Sequence, residues 1–481
     1  STGVHTSSNQ TAHDLEDSEV EEPLNYNWLG ALSYENISLS SHTVQMYDLE
    51  GPAYTYGNEN FHGHREVMQL IAGERQVLWY PETAYWVSYD IDVPLFLPVY
   101  ADRRLFDLRL IARDELEGKM GRGVHAGSRI QGQEIFSSGW EWGYWINDVI
   151  TARAAWNPLM DIADHDEALS QALNITVKPL GERAEIAKAL MMSWIEKQNA
   201  LFIHGEVNGE KPVTPEYRTA QAYLQGWETF DDIQKTLGIL ETQPRKMGML
   251  DMHNPLLPSS KKVNYKNELR PLLRETAESL RETFTEFAAL ESNIPATGRT
   301  IYDEIKDGME ITTLRAEQVY NLYEVAHRTR QCLPFGDMAV ASEHLSKARS
   351  ALDRAQEVVF NREQSYRVDP ERIAGWHYNP TVYHFGYLWT ARSLHYWWRD
   401  ELKAVDCPAS PHVMNIIDFL DTIAGEGDWI EYGINISAIV RFFRGVVPKD
   451  SWLGELIQEP SREPFYPEDL DGLRDRPEWL H

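Results

Sequence analysis

Residues 136–148 read FSSGWEWGYWIND. A short apolar run meets a Gly turn and then a cluster of bulky rings and one acid: Trp140, Glu141, Trp142, Tyr144 and Trp145. Apolar runs of this length, bounded by turn residues, have the form of buried strands, and the stretch that follows has the length of a helix. A parallel βα unit presents its ligand-binding groups at the carboxyl end of the strand. On that geometry Glu141 is a carboxylate walled by indole rings at a strand end.

The same texture extends outward over residues 25–158. Segments 27–33 (NWLGALS), 43–49 (TVQMYDL), 76–80 (QVLWY), 93–99 (VPLFLPV) and 133–137 (QEIFS) each have strand length, while 60–72 and 101–117 are helix-like. Strands alternating with helices predict βα units around a parallel sheet. Residues 79–86, WYPETAYW, repeat the motif: Glu82 ends an apolar run and is surrounded by Trp79, Tyr80, Tyr85 and Trp86. Asp48 and Glu50 form a further strand-end acidic pair, with Gly51-Pro52 to turn the chain. Asp90 and Asp92 precede another run, where Asp-x-Asp is more often turn chemistry.

Beyond residue 158 the pattern becomes helical. Segments 182–202, 267–290, 342–361, 381–404 and 412–424 carry helical periodicity, and Thr214-Pro215 has the form of an N-cap followed by Pro at the first helical position. The expected organisation is an acidic leader or linker over 1–24, an α/β barrel-like domain over 25–158, and a helical domain over 159–481. Residues 372–400 form a second aromatic concentration, and His377 or Tyr378 there could reach a substrate at the barrel mouth.

Composition narrows the function. The chain has 481 residues and 42% hydrophobic content, and its 16 Trp are too many for a disordered chain. With 45 basic against 74 acidic residues, the formal charge is −29, a field that repels nucleic acid and anionic lipid. No apolar run approaches the roughly 18 residues of a membrane span. Cys332 and Cys407 allow one disulfide or two free thiols, and their surroundings match no metal spacing. His62 and His64 suggest a metal site, but residues i and i+2 of a helix point apart. No nucleotide-binding Gly loop, nucleophile elbow or Cys-x-x-Cys is present, so neither a metal nor another cofactor is expected.

Carboxylates framed by aromatic rings are what sugar chemistry requires. Apolar sugar faces stack on rings, and desolvation can raise a carboxyl pKa until it donates a proton. The expected function is a carbohydrate-active hydrolase with an acid/base pair drawn from Glu82 and Glu141, then Asp48 or Glu50. Trp79, Tyr80, Tyr85, Trp86, Trp140, Trp142 and Tyr144 would line the saccharide subsites. The alternative is a non-catalytic glycan-binding or structural assembly subunit on the same scaffold.

The strand, the aromatics and the helix leading to Arg153-Ala-Ala-Trp156-Asn157-Pro158 resemble the last βα unit of certain glycoside hydrolases. These are the alpha-glucuronidases and N-acetylhexosaminidases with a (β/α)8 barrel and a trailing helical domain, which have a similar Ala-Trp-Asn/Asp-Pro junction. The resemblance covers about a third of the chain and implies a class, not a substrate. A complete barrel takes about 250 residues, roughly twice the barrel-like segment, and half a barrel would expose its sheet edge. One expectation is therefore that the chain, which begins Ser-Thr-Gly, is the carboxyl-terminal product of a cleaved precursor. An amino-terminal chain would then complete the barrel. A smaller α/β domain complete in itself is the competing expectation. The acidic surface suits an extracytoplasmic setting.

Overall fold

The computed structural model describes residues 2–4, 11–12, 24–25, 34–44, 46–51, 62–84, 95–137, 142–210, 224, 269–329, 338–365, 394, 397, 401 and 404. The strands are β1 (Thr2–Val4), β2 (Thr11–Ala12), β3 (Leu24–Asn25), β4 (Leu39–Thr43), β5 (Val77–Pro81) and β6 (Gly132–Gln133). β2 and β3 form a small antiparallel pair, whereas β1, β4, β5 and β6 form a parallel sheet in that order. The order of the parallel strands is their order in the chain. Among the described residues this sheet is open, so the fold is mixed α/β with a large helical part.

The chain divides into two compact units. The first comprises Ser1–Tyr85, Phe96–Asn199 and Thr285–Lys306. It contains the parallel sheet and the helices α1 (His62–Ile71), α2 (Val99–Leu116), α3 (Trp145–Trp156), α4 (His165–Val177) and α5 (Ala184–Gln198). Thus the unit that holds the sheet extends past residue 158.

Register separates the two faces of the sheet. Thr43 pairs with Pro81, Ser41 with Trp79, and Trp79 with Gln133, so these residues share one face. Ser40, His42, Leu78, Tyr80 and Gly132 occupy the other. Helix contacts fall on the first face: Ser41 Oγ donates to the His64 carbonyl of α1 at 3.1 Å, Arg104 of α2 lies 5.8 Å over the Trp79 ring, and Gln133 Nε2 reaches the Thr151 carbonyl of α3 at 3.4 Å. Right-handed crossovers between strands added in one direction place their helices on one side in this way.

Buried polar side chains on α2 fasten the turn after β4. Arg104 donates to the carbonyls of Thr43 and Tyr47, and Asp107 accepts from the Leu49 amide at 2.8 Å. Burial pushes the Asp107 carboxyl up to about 8, against the pull of Arg104 at 3.7 Å and with a further push from Asp48. Arg109, also on α2, gathers the carbonyls of Pro158, Leu159, Ile162 and Ala163 at 3.2, 2.5, 2.7 and 3.3 Å. After this connection, Asp164 caps α4 by accepting from the Glu167 amide at 2.8 Å.

The second unit comprises Trp86–Leu95, Ala200–Phe284 and Asp307–His481. Helices α6 (Arg270–Ala288) and α7 (Arg299–Thr329) belong partly to each unit, and α8 (Met338–Glu363) lies in the second. Within the second unit Arg281 pairs with Glu317 at 2.6 Å and Arg354 with Glu310 at 2.7 Å, while Leu272, Leu273, Leu280 and Leu322 are buried.

Two expected strands differ in the structure. The strand expected at 43–49 ends at Thr43, and residues 46–51 form the turn fastened by Asp107 and Asp48. The expected strand 93–99 is absent over its described part: residues 95–97 are irregular and α2 begins at Val99. Pro98 has no amide hydrogen for a ladder and suits the start of a helix. Segments 27–33 and 412–424, Thr214-Pro215, and most of 381–404 lie outside the described residues.

Candidate functional site

Glu82 follows β5 directly, and its backbone is pinned on both sides. Its amide donates to the Thr43 carbonyl at 3.0 Å, it bridges in parallel to Phe136, and the next amide, Thr83, donates to the Phe136 carbonyl at 2.9 Å. Alternation puts the Glu82 side chain on the face of His42 and Tyr80 rather than the face contacted by the helices. Glu82 Oε1 lies 3.3 Å from His42 Nε2, and the carboxylate is 1% exposed. The imidazole stacks on Tyr80 with centroids 4.7 Å apart, and Phe136 meets Tyr80 edge-on at 6.3 Å. Three rings therefore surround one strand-end acid.

A second carboxylate shares this face. The Glu134 amide donates to the Trp79 carbonyl and the Phe136 amide to the Pro81 carbonyl, both at 2.9 Å, which places Glu134 opposite Tyr80. Glu134 is exposed, and its Oε2 accepts from Ser40 Oγ at 3.4 Å. Burial raises the Tyr80 phenol above its ordinary value, and the charges of Glu82 and Glu134 add to the rise. Glu82 and Glu134 are diagonal neighbours on adjacent strands. A strand spacing of about 4.8 Å and a two-residue rise of about 6.6 Å put their backbones about 8 Å apart.

On the helix side of the same strand ends, Asp148 in the first turn of α3 accepts from the hydroxyls of Thr83 and Ser137, the latter at 2.9 Å. Burial raises the Asp148 carboxyl while the two hydroxyls draw it back. Asn147 donates to the carbonyls of Thr83 and Leu97 at 3.0 and 3.2 Å. These bonds key α3 to the ends of β5 and β6.

The residues predicted from sequence divide three ways. Glu82 and Tyr80 come together as described. Trp79, expected in a subsite, is instead core: it is fully buried and gives its indole N–H to Thr43 Oγ1 at 2.9 Å. Trp142 and Tyr144 are likewise buried, and burial alone raises the Tyr144 phenol. Trp142 has φ 62 and precedes Gly143 at φ 81, where a Cβ would fall 2.5 Å from the Phe96 ring; this tight turn folds both aromatics inward.

Asp48 and Glu50 also differ from expectation. The Asp48 carboxylate accepts from the amides of Glu50 and Gly51 and pairs with Arg103 of α2, so it forms a turn. Glu50 pairs with Arg65 of α1 at 2.6 Å, and Arg65 also holds buried Asp114 with two bonds of 2.6 Å. Both acids serve the helix side. Glu141, Trp140, Tyr85, Trp86, His377 and Tyr378 lie outside the described residues, as do Asp90 and Asp92.

Sequence reading missed His42 and Glu134. Both stand at alternate positions of polar strand segments, LSSHT and QGQE, where period two was the available signal. Among the described residues no group of three or more His, Cys, Asp or Glu is placed to hold a metal ion, and no helix is long and apolar enough to cross a membrane. Comparison of the chain with protein-family models, curated proteins and solved structures finds no match.

Proposed function

We propose that the chain is a carbohydrate-active hydrolase whose chemistry lies at the carboxyl ends of β5 and β6. The observation that carries this reading is Glu82, a strand-end carboxylate set among the rings of His42, Tyr80 and Phe136 with a second acid, Glu134, on the same face. Glycoside hydrolysis uses two carboxyl groups about 5–9.5 Å apart, one protonating the leaving oxygen and the other attacking the anomeric carbon or activating water. The diagonal placement, with backbones about 8 Å apart on one face, lets the two side chains reach toward a common bond. Glu141 is the other candidate partner for Glu82.

Chain-ordered parallel strands with α1, α2 and α3 on one face also support reading the sheet as one wall of a (β/α)8-type barrel. The remaining wall would come from a further segment, including an amino-terminal chain of the same precursor. The substrate would be an oligo- or polysaccharide, and the acidic composition supports an extracytoplasmic setting.

The test is hydrolysis of a panel of aryl glycosides and oligosaccharides by the wild type and by Glu82→Gln, Glu134→Gln and Glu141→Gln. Glu82→Gln and one of the other two should lose about 10²–10⁴-fold in turnover. Full activity in all three variants refutes the assignment. The near-complete burial of Glu82, with Trp79 and Trp142 in the core, favours a second reading: a non-catalytic glycan-binding or assembly subunit. It predicts calorimetric binding or subunit association with no turnover by the wild type.

A further inference from the structure

A cleft of about 470 Å³ lies between α2, α3 and α4. This is within the usual range of ligand pockets, about 300–1,000 Å³. Leu105, Ile150, Leu159 and Ile175 give it aliphatic walls, and Arg153 and Lys178 also line it. Both cations lie at helix C-terminal ends, Arg153 in the last turn of α3 and Lys178 at the C-cap of α4, where the helix dipole favours positive charge. That accounts for their residue type but supplies no counter-ion.

Neither the Arg153 nor the Lys178 side chain has an ion pair or hydrogen bond among the described residues, although the chain carries 74 acidic against 45 basic residues. Several basic residues elsewhere in the same unit are matched, among them Arg65 with Asp114, Arg103 with Asp48, Lys119 with Glu117, and Lys188 with Glu185, although Arg183 has a buried Nε without a hydrogen bond among the described residues. Two unmatched cations therefore share one cleft in a strongly acidic chain. Leu159, between them in sequence, is held at φ 56, a region sparsely used by residues other than glycine, and its carbonyl accepts from Arg109 at 2.5 Å. Backbone strain of this kind concentrates at ligand sites.

We infer that this cleft binds a monocarboxylate with an unbranched apolar chain. The carboxylate would bond to Arg153 and Lys178, and the chain would lie on the aliphatic walls. Among the described residues the lining contains no aromatic ring on which a sugar face could stack; Asn157, Gln171 and Asn174 add amide groups to the two cations, and the aliphatic walls favour an acyl chain. The inference is independent of the chemistry proposed at Glu82.

The test is isothermal titration of the full chain with octanoate, with acetate and 1-octanol as separate arms. Octanoate should bind saturably at one site per chain, acetate should give no saturable heat, and 1-octanol should bind more weakly than octanoate. The double variant Arg153→Gln/Lys178→Gln changes two exposed side chains and should weaken octanoate about tenfold or more, because charge-assisted hydrogen bonds are lost. Ala172→Phe, which fills the cleft from α4, should also weaken it. Thermal melts of both variants report whether the fold is kept. The inference is overturned if octanoate gives no saturable binding, binds the double variant as it binds the wild type, or binds no better than acetate or 1-octanol.

Discussion

Trp79 and Tyr80 are adjacent in the chain and lie on opposite faces of one small sheet. Trp79 faces the helices, fully buried beneath Arg104 and bonded to Thr43. Tyr80 turns the other way, half-buried beside His42 with Glu82 and Glu134 acting on its hydroxyl. An aromatic-rich run around a glutamate therefore mixes two populations, one supplying core and the other supplying the candidate site. A strand period of two sorts them, whereas the density of rings does not.

The largest expected effect separates the faces directly. Trp79→Ala should cost about 3–5 kcal/mol of stability in urea unfolding, since it empties a buried site and orphans the Thr43 contact. Tyr80→Ala should cost about 1–2 kcal/mol, because less area is lost. Equal losses would erase the contrast.

The next effect tests the carboxyl buried on the helix side. Unfolded, Asp107 titrates near 3.8, while in the fold it holds its proton to about 8. Between those values the folded chain binds the extra proton, so this group's contribution to stability falls as pH rises through the window and levels off above it. Asp107→Asn should remove that slope. Chemical denaturation at pH 5 and pH 8 should then show a stability drop smaller than the wild type's by about 2–4 kcal/mol. A wild type and variant with parallel pH profiles would place Asp107 ionised in the fold. The smallest effect is on the other face: Glu134→Gln should change stability by no more than about 0.5 kcal/mol, as expected for an exposed side chain away from special backbone features. A larger loss would make Glu134 structural.

The sequence was most legible where burial follows hydrophobicity. The apolar run at 76–80 anticipates β5, and the periodic segments 60–72 and 101–117 correspond to α1 and α2. β4 was hidden because LSSHT is buried by strand pairing and by contacts such as Ser41 to His64 and Thr43 to Trp79. The run 93–99 misled in the opposite direction, since its described residues Leu95, Phe96 and Leu97 are buried just before a helix that Pro98 opens. At the candidate site, Glu82 and Tyr80 were reachable from local pattern. His42 and Glu134 required the register between strands, and Asp48 required Arg103, 55 residues away, to be recognised as a turn.

Arg109 has one more consequence. An exposed link between helices is ordinarily where a protein accepts a nick or new chain ends, yet one guanidinium on α2 holds four carbonyls of the link between α3 and α4. That link cannot fray residue by residue, because releasing it means giving up the shared anchor. Limited proteolysis should spare it in the native chain and find it early once Arg109 is replaced by alanine.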